Sequence, residues 1–156
     1  MINNRNKILL LILLGVFGSV FITCTPESCF EETTSFLNAA FYKTSTGKPA
    51  VPDSVTVFGI GKESSRIYSK SSGISSLRLP LNPSSDNCGF VIKINNITDT
   101  LKFVYTSFPH LISKECGFTF YFSLDTTIVH GSAINSVTTR NKNITTFNEE
   151  NIRIYY

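Results

Sequence analysis

The chain has 156 residues, a formal net charge of +3 and four cysteines, a single-domain length able to bury one core. Its Lys and Arg are scattered and form no stripe interleaved with aromatics, which excludes a groove that tracks nucleic-acid phosphates. Arg5 and Lys7 stand in the N-terminal stub, so +3 less these two cations leaves +1 for the remainder.

The first element in chain order is a basic stub followed by the apolar stretch Ile8 to Ile22, ending at Cys24. That order is the one expected of a secretory signal, and about fifteen apolar residues fall short of the roughly twenty that span a hydrocarbon core. The box Phe21-Ile22-Thr23-Cys24 places a thiol at the cut site behind small or tolerated residues, so residues 1–23 are expected to be a lipoprotein leader and Cys24 the lipidated first residue. The competing reading is a disulfide cysteine near a free N-terminus. Several acyl chains give stable anchoring where one is marginal, so the expected first partner is a lipid bilayer. Residues 24–33 read as a tether, and residues 34–156 as one domain.

Within that domain, period-two alternation and enrichment in Val, Ile, Thr, Phe and Tyr dominate, with no sustained helical spacing. Thr34 to Tyr42 suits a strand, although Ala39-Ala40 would tolerate a helix. Lys43 to Asp53 is a loop, Ser54 to Phe58 a strand, and Gly59 and Gly61 weaken its continuation. Arg66 to Ser69 is a short strand, and Ser75 to Leu81 another with Leu77, Leu79 and Leu81 inward; Pro80 argues that it lies at a sheet edge. Phe90 to Tyr105 reads as a hairpin. Phe90, Ile92 and Ile94 share one face, Asn95-Asn96 can take positive φ, and Leu101, Phe103 and Tyr105 face inward after a connection longer than the favoured two residues.

Gly117 to Leu124 alternates Phe118, Phe120 and Phe122 against Thr119, Tyr121 and Ser123, and core packing is the expected role of the three phenylalanines. Residues 126–130, 134–139, 143–147 and 151–156 complete the series as shorter strands. Seven to nine strands at this spacing predict an all-β fold, an antiparallel β-sandwich of immunoglobulin-like or prealbumin-like type.

Residues able to carry chemistry are few. Zinc would need a C-x-x-C or a Cys/His cluster, and the nearest pair is His110 and Cys116, so neither a metal nor another cofactor is expected. His110 follows Pro109 at an expected loop and His130 precedes Gly131 at a strand end; both read as exposed turn residues. Neither G-x-S-x-G nor H-E-x-x-H occurs. Glu31 and Glu32 are adjacent, so on an extended backbone they point apart. Gly59-Ile-Gly61-Lys62 lacks the spacing of a phosphate loop and reads as the end of a strand. No catalytic residue is assigned. In an oxidising compartment the thiols should pair, and lipid on Cys24 would leave Cys29, Cys88 and Cys116 with one left over.

Six segments, Cys29-Phe-Glu-Glu-Thr-Thr, Asp53-Ser-Val-Thr-Val-Phe-Gly-Ile-Gly, Leu79-Pro-Leu, Asp99-Thr-Leu-Lys-Phe-Val-Tyr, Ser113-Lys-Glu-Cys-Gly-Phe and Asn151-Ile-Arg-Ile, resemble in order and spacing a family of uncharacterised short lipoproteins of Bacteroidota. The resemblance implies that Cys29 and Cys116 occupy recurrent cysteine positions and pair with each other, leaving Cys88 as a departure. Asp53-Ser54-Val55, Asp99-Thr100-Leu101 and Asp125-Thr126-Thr127 resemble the O-glycosylation pattern of exported Bacteroidota proteins, which makes Ser54, Thr100 and Thr126 candidate acceptors. An acidic surface-export run is missing, so the periplasmic face of the outer membrane is the expected location. The family carries no established activity. The expected role is therefore a non-enzymatic module binding an outer-membrane barrel protein or a glycan, with a periplasmic hydrolase or a structural accessory as alternatives.

Overall fold

The computed structural model describes residues 28–156; the expected leader and Cys24 lie outside the described residues. Ten strands follow in order: β1 (Phe36–Tyr42), β2 (Val55–Gly59), β3 (Arg66–Ser71), β4 (Ser76–Pro80), β5 (Asn87–Ile94), β6 (Ile97–Ser113), β7 (Gly117–His130), β8 (Ser136–Thr139), β9 (Asn143–Ile144) and β10 (Ile152–Tyr155). They form a four-stranded sheet in the order β4-β1-β10-β8 and a six-stranded sheet in the order β3-β2-β5-β6-β7-β9. The architecture is the expected all-β sandwich, with one strand more than the upper expectation. It is not uniformly antiparallel: β1 and β10 pair in parallel, with Ala39 opposite Ile152 and Phe41 opposite Ile154.

The core follows from alternation. Leu37, Ala39, Phe41, Leu77, Leu79, Ile152 and Ile154 come from the smaller sheet, and Val55, Val57, Phe90, Ile92, Ile94, Leu101, Phe103, Tyr105, Phe122 and Leu124 from the larger. Same-side side chains of paired strands thus close on one another and exclude water, the main stabilising contribution. Pro80 does lie on an edge strand, β4. The β5–β6 connection is tighter than expected. Ile94 pairs with Ile97, so Asn95 and Asn96 alone make the turn, at φ 48° and 73°. Two successive positive φ angles match the right-handed twist of the flanking strands, and asparagine tolerates them better than most residues.

The largest departure from expectation is the β6–β7 ribbon. The segments 117–124 and 126–130 are one strand, continuous through a bulge: Val104 pairs with Thr126 but Tyr105 with Leu124, leaving Asp125 as the extra residue. The expected loop at Pro109-His110 is also part of a strand, β6. Strand β5 stops pairing with β6 at Val104, and after the Tyr105 amide, which still donates to the Asp86 carbonyl, that edge of β6 is no longer paired with β5, the condition under which proline is tolerated in a sheet.

Candidate functional site

A mismatch in strand length creates the most distinctive surface. Strand β6 has 17 residues and β7 has 14, whereas the facing sheet's longest strand, β1, has seven. At about 3.3 Å per residue, β6 reaches roughly twice as far as the sheet that should cover it. The register then decides which side chains are left uncovered. Ser107 pairs with Phe122, Pro109 with Phe120 and Leu111 with Phe118, so these six continue the core face. Phe122 is 3% exposed and ends the core, while Phe120 is 42%, Leu111 48% and Phe118 73% exposed. The phenylalanine triplet expected in the core is thus split: Phe122 is buried, and Phe118 and Phe120 run out beyond the opposing sheet. Pro109 completes this apolar stripe.

The opposite face of the ribbon is arranged differently. His110 stacks on Tyr121 with ring centroids 4.1 Å apart and 15° between planes, and Phe108 meets the same ring edge-on at 6.4 Å. The Thr119 hydroxyl donates to the Thr33 carbonyl at 2.6 Å, which ties the N-terminal lead to β7 between Phe118 and Phe120 and leaves Thr119 buried. At the turn, the Cys116 amide donates to Ser113 Oγ at 3.0 Å. Cys29 and Cys116 are disulfide-bonded.

Cys88 is free and half-buried. Burial pushes its thiol pKa up. It borders an open groove of about 440 Å³ lined by Gly59, Ile60, Lys62, Leu81 and Asn82. Nearby, the Tyr105 hydroxyl donates to the Asn82 carbonyl and accepts from the Asn82 amide, both at 3.0 Å; desolvation raises its pKa to about 12.

A second cavity, of about 360 Å³ and mixed lining, lies against β1, bordered by Asn38, Phe41, Tyr42, Pro49, Ser76, Glu149 and Glu150 among others. Tyr42 donates to Glu150 Oε2 at 3.0 Å, Arg153 pairs with Glu150 Oε1 at 2.6 Å, and the Arg153 guanidinium sits over the Tyr42 ring. Burial, then the hydrogen bond to Glu150, raises the Tyr42 pKa. The Asn38 side-chain oxygen is buried without a hydrogen-bond partner.

The remaining candidates are dispersed. His110 stands opposite Thr119 and His130 opposite Thr100, ten positions apart along β6, which is about 33 Å and far beyond any joint role in one catalytic centre. His130 ends β7 and is exposed. Glu31 and Glu32 are exposed, and Glu32 reaches Arg78 at 3.9 Å. Among the described residues, no three His, Cys, Asp or Glu side chains gather as a metal site. Of the three glycan-acceptor candidates, Ser54 is half-buried just before β2, Thr100 is half-buried on β6, and Thr126 is exposed on β7.

Asp99, read from sequence only as part of a short pattern, is 1% exposed and holds the β7–β8 connection. Its carboxylate accepts from the amides of Ser132 at 2.9 Å, Ala133 at 3.0 Å and Ile134 at 2.7 Å. Gly131 has φ +143°, and a Cβ there would run into the Asp99 carboxylate, so glycine is required on both counts. The four residues Gly131 to Ile134 are thereby a rigid clasp closing the far end of the ribbon.

These features define a two-sheet all-β protein whose uncovered surface is an overhanging ribbon. The chain belongs to a family of unknown function (DUF6452), whose model matches residues 54–156. That match includes the whole ribbon and Cys116 and begins after β1 and Cys29. No curated protein and no solved structure matches the chain.

Proposed function

We propose that this is a non-enzymatic, lipid-anchored envelope protein of Bacteroidota type. In this reading residues 1–23 are removed, Cys24 is acylated, and the sandwich stands on the periplasmic face of the outer membrane. Its working surface is the open end of the β6–β7 ribbon, where it engages another envelope component. The observation that carries the reading is the uncovered stripe Pro109, Leu111, Phe118 and Phe120, which extends the core face beyond the facing sheet. A contiguous exposed apolar patch of this kind marks an interaction surface.

Of the components expected from the sequence, apolar ones suit this stripe, the lipid surface beside the anchor or a barrel protein seated in it, because apolar side chains form no hydrogen bonds with a sugar's hydroxyls. A glycan suits instead the cavity by β1, where Tyr42, Ser76, Glu149 and Glu150 supply hydrogen-bonding groups. Cell fractionation tests the anchored reading. Wild type is expected in the outer-membrane fraction, and Cys24→Ser is expected to be folded and soluble. Wild type recovered in the soluble fraction refutes it. A barrel protein that co-extracts in mild detergent with wild type and is lost with Phe118→Ser would make that protein, and not lipid, the counter-surface of the stripe.

A further inference from the structure

We propose that the open end of the ribbon lies in the lipid interface itself, with Pro109, Leu111, Phe118 and Phe120 turned into the boundary between headgroups and acyl chains. This names the counter-surface of the site described above and rests on the anchoring of Cys24. Two independent observations converge on it.

The first is the shape of the apolar surface. Pro109 with Phe120 and Leu111 with Phe118 are cross-strand neighbours on one face, so the four side chains form a compact block and not a scatter of single exposed residues. The other face of the same ribbon carries no such block: Thr119 is bound to Thr33, His110 is stacked on Tyr121, and Phe108, 44% exposed, packs edge-on against the same ring as a single apolar side chain. The contiguous apolar block at the tip is thus the part of the ribbon suited to the boundary between headgroups and acyl chains.

The second is where the tether attaches. Cys116, whose sulfur is bonded to Cys29, directly precedes Gly117 and Phe118. Cys24 is five residues before Cys29, a reach of at most about 18 Å for a fully extended chain. The Thr33–Thr119 hydrogen bond holds the N-terminal lead at the same end of β7, on the face opposite the stripe. Acyl chains on Cys24 therefore hold the apolar block close to the bilayer, at a high effective concentration of lipid. The opposite end of β6, at Ile97, is about 45 Å from Leu111 along the strand and stands away from the membrane. A barrel protein or a second copy would have to displace a lipid surface that is always within reach.

The chain contains no tryptophan, so a single introduced indole reports its own surroundings. Phe118→Trp and Leu111→Trp probe the stripe; Ile97→Trp, at a position 51% exposed, probes the far end. The acylated full-length products, purified from membranes, are reconstituted into phosphatidylcholine–phosphatidylglycerol vesicles with and without brominated acyl chains. In the Phe118→Trp and Leu111→Trp variants the emission is expected to be shifted to the blue and mostly quenched by brominated lipid, while the Ile97→Trp signal is unchanged. Equal, unquenched emission from all three variants in protein that floats with the vesicles overturns the inference while leaving the anchor intact. Protein that carries no acyl mass and fails to float removes the anchor, and the inference with it. Quenching at position 97 but not at 118 would reverse the orientation and also refute it.

Discussion

Replacing Asp99 by alanine tests the clasp that closes the far end of the ribbon. The substitution removes the acceptor of three main-chain amides, those of Ser132, Ala133 and Ile134. Hydrogen bonds to a charged acceptor contribute about 1.5–3 kcal/mol each, and a buried donor left unsatisfied costs about 1–3 kcal/mol. Ser132 is exposed and Ala133 half-exposed, so water can replace the carboxylate at their amides; Ile134 is 5% exposed, and its amide would be stranded. Relief of the desolvated carboxylate offsets part of the loss, which leaves a net cost of about 3–4 kcal/mol. With a urea slope near 1.5 kcal/mol per molar, that is a fall of about 2 M in the unfolding midpoint. Asp99→Asn should fall between wild type and alanine, because one oxygen can still serve the Ser132 and Ala133 amides. Far-UV circular dichroism in urea measures the midpoints, and hydrogen exchange should show faster exchange at residues 132–134. A shift under about 0.5 M, with unchanged exchange there, would refute the reasoning that this carboxylate is the structural tie of the connection.

The other expectations are simpler to state. Gly131→Ala should destabilise by about 2 kcal/mol or more in the same urea assay, since it combines an unfavourable φ with a clash against Asp99. Cys29→Ser and Cys116→Ser should each lower stability by about 3–5 kcal/mol through loss of the same bridge, while Cys88→Ser changes it little; non-reducing peptide mapping and urea midpoints check both statements. In alkaline titration followed by tyrosinate absorbance, the component that ionises near pH 12 should disappear in Tyr105→Phe. The sign is fixed by the raised folded pKa: the stability contributed by neutral, buried Tyr105 is whole below its ordinary pKa of 10.0 and is lost as pH climbs toward about 12. Asn96→Val should cost about 1–2 kcal/mol, and Asn96→Gly should be neutral or stabilising, because position 96 holds φ 73°.

How far the sequence reveals this molecule depends on whether a signal is local. Alternation along Leu77, Leu79 and Leu81, or along Leu101, Phe103 and Tyr105, reports burial directly, and the Asn95-Asn96 pair marks its own turn. The parallel pairing of β1 with β10 is invisible in either segment, because it joins residues more than a hundred positions apart and depends on which sheet each strand enters. Phe118, Phe120 and Phe122 show the limit most clearly. Their alternation correctly places them on one face, yet exposure differs because the facing sheet ends before Phe120, and no property of the three residues encodes the length of another sheet. Pro109 misleads in a related way: proline argues for a loop only where both strand edges are paired. Asp99 looks like a strand-start residue until the Gly131–Ile134 connection folds back on it.

Intact-mass measurement of the native protein extracted from membranes bears most directly on the anchored reading. A chain beginning at Cys24 and heavier than its polypeptide by the mass of diacylglycerol, with or without a further acyl group, is the predicted result. A chain that retains residues 1–23, or whose Cys24 sulfur carries no lipid, contradicts it.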